Sequence, residues 1–189
     1  MENSKYFNYL IHLLENQEFR LQEIASEIVS HISAGSSIWI IGNGGSASTA
    51  EHFETDLLFI RKGNSFPKTR VTALTSNSSL ISAISNDIGY ENIFSHQLFR
   101  KAKSGDLCIL ISASGNSENL INAILATREI GIKTIGFLGF DGGELSGLVD
   151  SSIIVKTEIG KYGPVEDVHL AMCHAVSELV GTNLEIRHN

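Results

Sequence analysis

The chain has 189 residues, of which 42% are hydrophobic and 19% are charged, and its formal net charge is −7. This balance predicts one folded domain with a sizeable core and excludes an intrinsically disordered chain. The acidic charge argues against tight binding to nucleic acid, which needs a basic surface. No apolar run reaches the ~20 residues that span a bilayer, and the first residues lack the pattern of a secretory signal. We therefore expect a cytoplasmic protein.

The two cysteines, Cys108 and Cys173, lie inside apolar sequence patterns. Such positions predict buried, reduced thiols, and the chain has neither a disulfide framework nor a CxxC motif. The cysteines therefore add no expectation of a redox site.

The first predicted element is helical and covers residues 5–34. Apolar residues recur there at helical spacing, Asn16-Gln17 marks a break between two helices, and Gly35 marks a stop. Because this apolar stripe precedes the first strand, two alternatives remain open. The stripe packs on its own domain, or it forms an arm that packs on a partner subunit.

After this segment, short apolar strands alternate with helices, which predicts a parallel sheet covered by helices on both faces. The predicted strands cover 38–42, 71–74, 106–112, 133–138 and 152–155. The predicted helices cover 45–59, 77–86, 91–101, 117–130 and about 165–179 or beyond, with a polar loop at 61–68 and a short helix or turn at 141–148. Ligands of such sheets bind at the carboxyl ends of the strands, near the topological switch point.

The first polar loop follows the first predicted strand and reads GNGGSA, from Gly42 to Ala47. A strand, a glycine turn and a helix N-terminus together make an anion site. The loop also matches a variant of the dinucleotide fingerprint, but that fingerprint needs an acidic residue about 20 positions on. The second strand ends Leu74-Thr75-Ser76 without one, so a nicotinamide cofactor is disfavoured.

The second polar loop reads SASGNS, from Ser112 to Ser117, and leads into an amphipathic helix. Ser117 suits the N-cap position of that helix. Free backbone N–H groups at a helix start, together with three hydroxyl groups, would hold a phosphate without any lysine. An ordinary capped turn would explain Ser117 alone but explains Ser112 and Ser114 less well.

The two loops together resemble the sugar isomerase (SIS) domain, over roughly residues 37–180. His52-Phe53 after the first loop, Asn86-Asp87, and two histidines in the closing helix resemble the phosphoheptose isomerases in particular. The resemblance implies a flavodoxin-like, five-stranded parallel sheet with helices on both faces. It also implies a homotetramer with active sites between subunits that often hold zinc. We expect a single SIS domain over 1–189, with a helical arm at 1–35 and the α/β core with its closing helix at 36–189.

The resemblance also implies roles for individual residues. The residues expected to contact the sugar phosphate are Asn43, Gly44, Gly45, Asp56, Asn86, Asp87, Ser112, Ala113, Ser114, Ser117 and Glu166. The expected zinc ligands are His52, Asp56, Glu166 and His174. Asp56 stands where the family has a glutamate, and Glu166 stands where it has a glutamine. Asp56 and His174 are the expected catalytic pair, and His169 is expected to be buried or to support a ligand.

Helix geometry bears on these four ligands. His52 and Asp56 are four residues apart, so they share one helix face and could hold one ion, or form a surface hydrogen bond. Glu166 and His174 are eight residues apart, which on a straight helix is ~12 Å, too far for one ion. Either Glu166 precedes the regular helix, or the two residues serve sites in different subunits.

The expected reaction is the isomerisation of sedoheptulose 7-phosphate to D-glycero-D-manno-heptose 7-phosphate through an enediol, which supplies heptose for surface polysaccharide. Such a reaction needs a base, an acid and electrophilic help for the developing enolate. The alternative is a non-catalytic SIS protein that binds a sugar phosphate or the replication initiator. Retention of both His52 and His174 argues against this alternative.

Overall fold

The computed structural model describes residues 3–15, 17–60 and 68–186. A parallel sheet lies between two layers of helices. The helices are α1 (Asn3–Leu14), α2 (Glu18–Ala34), α3 (Gly45–Leu58), α4 (Ser78–Asp87), α5 (Ser95–Lys101), α6 (Glu118–Ile130) and α7 (Tyr162–Ile186). The strands are β1 (Ser37–Gly42), β2 (Arg70–Ala73), β3 (Leu107–Ser112), β4 (Lys133–Gly139) and β5 (Ser151–Val155). Short 3₁₀ turns cover Tyr90–Asn92 and Glu144–Gly147.

The five strands are all parallel and lie in the order β2-β1-β3-β4-β5. This is the flavodoxin-like order, so the predicted fold class is confirmed. The chain runs from β1 outward to β2 and then returns to β3 on the other side of β1. This reversal opens a crevice at the carboxyl ends of β1 and β3, where ligands of such sheets bind.

Alternation along the strands builds two hydrophobic cores, one on each face of the sheet. In β1, Ile38 and Ile40 enter the core formed with α2, α3 and α7, whereas Trp39 and Ile41 enter the core formed with α4, α5 and α6. The strands therefore read as continuous apolar runs, because both faces are covered.

The two N-terminal helices pack differently. α2 buries Ile24, Ile28 and Ile32 in the core of its own domain, as the first of the two alternatives expected. It ends at Gly35, whose φ of 70° forms a left-handed cap. In α1, by contrast, Phe7 is 61% and Ile11 59% exposed. α1 therefore carries apolar side chains that its own domain does not cover.

Two helix starts after β1 differ by more than one residue from the sequence predictions. α7 begins at Tyr162 instead of Val165, since a proline in the first helical turn, Pro164, needs no N–H there. α7 ends at Ile186, in agreement with the predicted extension beyond Leu179. The helix expected from Glu91 begins only at Ser95, because a single 3₁₀ turn precedes it. The predicted loop at 61–68 lies outside the described residues except for its last position.

Both cysteines are buried and free, as predicted. Burial raises the pKa of the Cys108 thiol to about 12. Burial, and then the nearby charge of Asp56, raise the pKa of Cys173 as well. Neither thiol is therefore a nucleophile near neutral pH. Among the described residues, no helix is both long and apolar enough to cross a bilayer.

The loops at the carboxyl edge pack against one another through glycines. Gly115 has a φ of +65°, and a Cβ atom placed on it would lie 2.0 Å from the carbonyl oxygen of Gly142. Backbone therefore meets backbone at this point, and the loop after β3 has no room for a side chain.

We expect Gly115→Ala to lower the free energy of unfolding by at least ~2 kcal/mol, because it adds left-handed strain to a backbone clash. Gly147→Ala is the matched control, since a Cβ at Gly147 meets nothing within 4 Å. That variant should change stability by less than ~1 kcal/mol. Urea denaturation of both variants checks this expectation, and equal stabilities would contradict the packing described here.

Candidate functional site

The loops after β1 and β3 lie side by side because the two strands are neighbours in register, with Gly42 opposite Ile111. They form a cleft of about 290 Å³ at the carboxyl edge of the sheet. Its lining includes these residues that the sequence predicted as substrate contacts: Asn43, Gly44, Gly45, Ser112, Ala113, Ser114, Ser117 and Glu166. Positions far apart in sequence thus meet in one cleft.

Two helices begin at this cleft without a side-chain cap. Gly44 is the N-cap of α3 and Ser117 is the N-cap of α6, and neither helix start is bonded by its cap side chain. By contrast, α4 is capped, since Asn77 Oδ1 accepts a hydrogen bond from Leu80 N at 3.0 Å. First-turn N–H groups that no cap occupies are suited to an anion. Ser117 therefore leaves its helix start open to a ligand, although its type suggested a cap.

The SASGNS loop holds its shape through its own side chains. Ser112 Oγ accepts a hydrogen bond from the backbone N–H of Gly115 at 3.0 Å. Asn116 Oδ1 accepts one from the backbone N–H of Glu144 at 2.9 Å. The loop is thus fixed before a ligand enters, which lowers the entropy cost of binding.

Glu166 of α7 lines the same cleft as the SASGNS loop and lies beside the first residue of α3. A Cβ placed on Gly45 would lie 2.4 Å from Glu166 Oε2, so the carboxylate rests directly on the backbone of Gly45. A helix N-terminus stabilises a nearby negative charge. The carboxylate that departs from the family pattern is therefore part of the cleft wall.

Sequence reasoning missed Tyr162, which lines this cleft, and also Asn119 and Tyr90, which bond to its lining residue Asn43. Asn119 and Tyr90 both hydrogen-bond the side chain of Asn43. Asn119 carried a usable signal, because it is a polar residue that lies beside Leu120 on the buried side of an amphipathic helix. Tyr90 carried none, since nothing in the sequence relates it to Asn43.

Tyr162 closes one side of the cleft from the first residue of α7. Its ring packs edge-on against Phe140, with ring centroids 5.1 Å apart. Phe140 has a φ of 53°, which is unusual for any residue other than glycine. Strained backbone of this kind clusters at functional sites, which fits its position just beyond β4.

A second group of polar side chains joins α3 to α7. His52 Nε2 lies 2.9 Å from His174 Nε2 and 3.5 Å from Asp56 Oδ1. His174 Nε2 lies 3.7 Å from Asp56 Oδ2. Within the described part of the chain, these three residues are the group of His, Cys, Asp or Glu side chains close enough to hold a metal ion.

The geometry of this triad fits a zinc ion. Each residue offers one ligand atom, and these three atoms lie within 4.8 Å of one another, close enough for one ion with ligands at ~2 Å. Asp56 Oδ2 is buried and finds no hydrogen-bond partner among the residues that the structure describes. A buried carboxylate oxygen is costly unless a partner compensates it, and a cation would supply one. Three protein ligands would leave one position for a substrate oxygen.

Glu166 is not part of this triad. Gly45 contacts Glu166, and His52 contacts His174, so α3 and α7 run side by side in the same direction. Eight helical residues separate Glu166 from His174, a rise of ~12 Å. The four predicted ligands therefore do not form one site within a single chain.

The triad also faces a different recess from the cleft. That recess is lined by Asp56, Phe59, Ile60, His174, Ser177, Glu178 and Gly181, whereas the cleft is lined by none of them. Within one chain, the predicted catalytic pair therefore does not line the cleft that contains the predicted phosphate loop.

Comparisons with known proteins agree with this architecture. A family profile described as the SIS domain matches residues 4–139. A probable phosphoheptose isomerase of Thermoplasma acidophilum is 38% identical over 83% of this chain and 85% of its own length. A phosphoheptose isomerase of Clostridium acetobutylicum is also 38% identical, over 87% of this chain and 83% of its own. This chain belongs to the phosphoheptose isomerase family.

A solved member of the family has the same fold. The phosphoheptose isomerase of Neisseria gonorrhoeae superposes with a TM-score of 0.83 and 26% identity, over 95% of this chain and 94% of that one. The family assignment made from the two loops is therefore confirmed.

Asn86 and Asp87 lie outside the cleft of their own chain. Asn86 Nδ2 donates a hydrogen bond to Asp87 Oδ1 at 2.8 Å, and both residues are exposed at the end of α4. Asn86 lines a separate groove, which it shares with Tyr90. Their predicted contact with the sugar phosphate stays a prediction.

His169 is fully buried on α7, as predicted. Its Nε2 lies 3.1 Å from the carbonyl oxygen of Leu138, at the end of β4. Burial lowers the pKa of this imidazole from 6.5 to about 4, against the smaller raising effect of that hydrogen bond. His169 is therefore neutral at pH 7 and ties α7 to the sheet, so it is not a proton donor in the cleft.

This shift makes stability depend on pH. Between pH 6.5 and about 4 the unfolded chain binds the His169 proton and the folded chain does not. The free energy of unfolding should therefore fall on acidification, with His169 contributing a loss of ~2 kcal/mol from pH 7 to pH 5. His169→Gln should remove that part of the slope, which urea denaturation at several pH values measures.

The exposed His12 supplies the control, because its side chain is 77% accessible. His12→Gln should keep the wild-type slope. A slope that is the same in wild type and His169→Gln would show that His169 is not the group responsible.

Proposed function

We propose that this protein interconverts sedoheptulose 7-phosphate and D-glycero-D-manno-heptose 7-phosphate, and so supplies heptose for surface polysaccharide. The observation that carries the proposal is the single cleft in which eight of the predicted substrate contacts meet. Membership of the phosphoheptose isomerase family supports the reaction.

The phosphate would bind the SASGNS loop. The open start of α6 offers backbone N–H groups, and Ser112, Ser114 and Ser117 offer hydroxyl groups. The loop contains no lysine or arginine, so hydrogen bonds and the helix dipole would hold the dianion. Gly44 and Gly45 would let the sugar approach the backbone of the first loop.

The chemistry moves one proton between adjacent carbons. A base removes a proton from C1 of the ketose, an enediol forms, and the proton is returned to C2, while the hydroxyl proton moves from O1 to O2. Asp56 is the proposed base or metal-bound carboxylate, and His174 the proposed acid. Aspartate is one methylene shorter than glutamate, and misplacement on that scale can cost ~100-fold in rate. Glu166 adds a carboxylate in the cleft, which supports a compensating role.

Zinc is the proposed cofactor, held by His52, Asp56 and His174. Nitrogen and carboxylate oxygen donors in this number suit zinc with an open position. When bound, the ion would polarise a sugar oxygen and stabilise the negative charge of the enediolate.

We further propose that each active site takes residues from two subunits of a homotetramer. The triad and the phosphate loop face different recesses of one chain, which supports completion by a neighbour. In such a site Glu166 of one chain would act together with the triad of another chain, because ~12 Å of helix separates Glu166 from His174 of its own chain. The exposed Phe7 and Ile11 of α1 offer an apolar face for assembly. A cytoplasmic location belongs to the same proposal, since the substrate is a soluble sugar phosphate.

The alternative of a non-catalytic protein that binds a sugar phosphate or the replication initiator is not favoured. Two histidines that converge on a half-buried aspartate serve no purpose in a pure adaptor. The triad therefore weighs toward an enzyme.

We expect the purified protein to convert sedoheptulose 7-phosphate to the aldose, and a chelator to abolish turnover that zinc then restores. His174→Ala should lower kcat by at least ~100-fold, since it removes a group that serves either as a zinc ligand or as the acid. A coupled assay for the aldose product measures both effects.

His12→Ala is the matched control, because His12 is an exposed histidine that contacts the nearby Glu15 and is not part of the triad. It should keep wild-type kcat. A tetrameric protein with a full complement of zinc and no turnover would overturn the proposed function.

Mixing two inactive variants tests the shared site. Ser114→Glu places a negative charge where the phosphate binds, and His174→Ala removes the acid. If each site takes the loop from one chain and the histidine from another, random mixed tetramers regain about a quarter of wild-type activity. Sites contained within one chain would regain none, which would refute the shared site.

A further inference from the structure

We propose that Asn119 is a positioning residue for the isomerase reaction, which acts by fixing the side-chain amide of Asn43 with the help of Tyr90. This inference rests on the proposed function, since Asn43 is a predicted substrate contact. Neither Asn119 nor Tyr90 lines the cleft itself.

The two asparagines form a reciprocal amide pair. Asn43 Nδ2 donates to Asn119 Oδ1 at 2.8 Å, and Asn119 Nδ2 donates to Asn43 Oδ1 at 2.9 Å. The hydroxyl group of Tyr90 donates a third hydrogen bond to Asn43 Oδ1, at 3.1 Å. Three bonds thus converge on one amide.

Burial restricts the orientations that the two amide side chains can adopt. Asn119 is only 2% exposed, and it lies on the side of α6 that carries the buried residues Leu120 and Ala123. An amide buried without partners is costly, so the pair holds both side chains in one orientation.

The pair also joins the two loops that form the cleft. Asn43 follows β1 and directly precedes Gly44, whereas Asn119 lies two residues beyond Ser117 in α6. The reciprocal bonds therefore set the distance between the sugar side and the phosphate side of the cleft. A change of ~1 Å in such a distance can cost ~100-fold in rate.

The bonding pattern further assigns a chemical role to Asn43. Its Oδ1 atom already accepts two hydrogen bonds, which fills both lone pairs. One hydrogen on Nδ2 has no partner among the described residues and remains for the ligand. Asn43 therefore acts as a donor to a sugar oxygen, such as the carbonyl oxygen that gains charge in the enediolate.

A double-mutant cycle on kcat/KM tests this account. We expect Asn43→Ala and Asn119→Ala each to lower kcat/KM by ~10- to 100-fold. If Asn119 acts only through Asn43, adding Asn119→Ala to Asn43→Ala should change kcat/KM by less than ~2-fold. Equal losses in both backgrounds would overturn the proposal, because they would mean that Asn119 serves the fold independently.

Gln97→Ala controls for the loss of a buried amide. Gln97 is also 2% exposed, and its Nε2 donates to the carbonyl oxygens of Leu74 and Ile93. Neither of these residues lines the cleft. This variant should lose stability yet keep kcat/KM within ~2-fold of wild type. Tyr90→Phe removes a single bond from Asn43 and should lower kcat/KM less than Asn119→Ala does.

Two binding and spectroscopic readouts separate this proposal from the proposed function. If wild type binds sedoheptulose 7-phosphate without converting it, the proposed function fails, and the same cycle on the calorimetric Kd tests Asn119. Affinity for inorganic phosphate should stay unchanged in Asn43→Ala.

Without any substrate, ¹⁵N NMR should show slowed exchange of one Asn43 side-chain hydrogen, which Asn119→Ala abolishes. Unprotected hydrogens in wild type would overturn the amide pair.

Discussion

The parallel pairing of β1 with β3 is the constraint on which the rest of the site depends. Because Gly42 lies opposite Ile111, both strands end at the same edge and release their loops side by side. The two helices that follow, α3 and α6, therefore begin at one cleft, and their uncapped starts face a common ligand. Glycines allow this approach, since Gly115 packs against the backbone of Gly142 and Gly45 against Glu166.

The proposed catalytic residues and the cleft lie two turns apart along the pair of helices α3 and α7. α3 and α7 leave the carboxyl edge together, with Gly45 and Glu166 at the cleft and His52 and His174 two turns further on. One ion cannot contact both Glu166 and His174 of a single chain, because the rise of the α-helix separates them by ~12 Å. This separation supports the proposal of a site that is shared between subunits.

The sequence predicted the fold and most of the cleft, because both depend on local patterns. Apolar runs indicated the strands, and the two loops indicated which strand ends carry function. The pairing of His52 with Asp56 also follows from helical spacing. The convergence of His174 on these two residues instead came from the family resemblance, since no local pattern places α7 beside α3.

The misses have a common physical cause. Tyr90 and Asn119 contact Asn43 from elements that are distant in the chain, and no periodic pattern identifies Asn43 as their partner, although Asn119 itself is recognisable as a polar residue on a buried helix face. Ser117 was expected to cap α6 from its residue type, yet its side chain makes no capping bond. When a serine at an N-cap makes no capping bond, the free N–H groups of that helix start can bind a ligand instead, so the missing bond points to a functional site.

The central claim is that this chain isomerises a ketose phosphate by moving a proton through an enediol. The most direct measurement is NMR of the product formed from sedoheptulose 7-phosphate in D₂O. The account predicts deuterium at C2 of the aldose, because a proton held by a side-chain base exchanges with solvent. An aldose with no deuterium at C2 at any extent of reaction would show that the transferred hydrogen never exchanges with solvent and would contradict the account, as would the absence of any aldose.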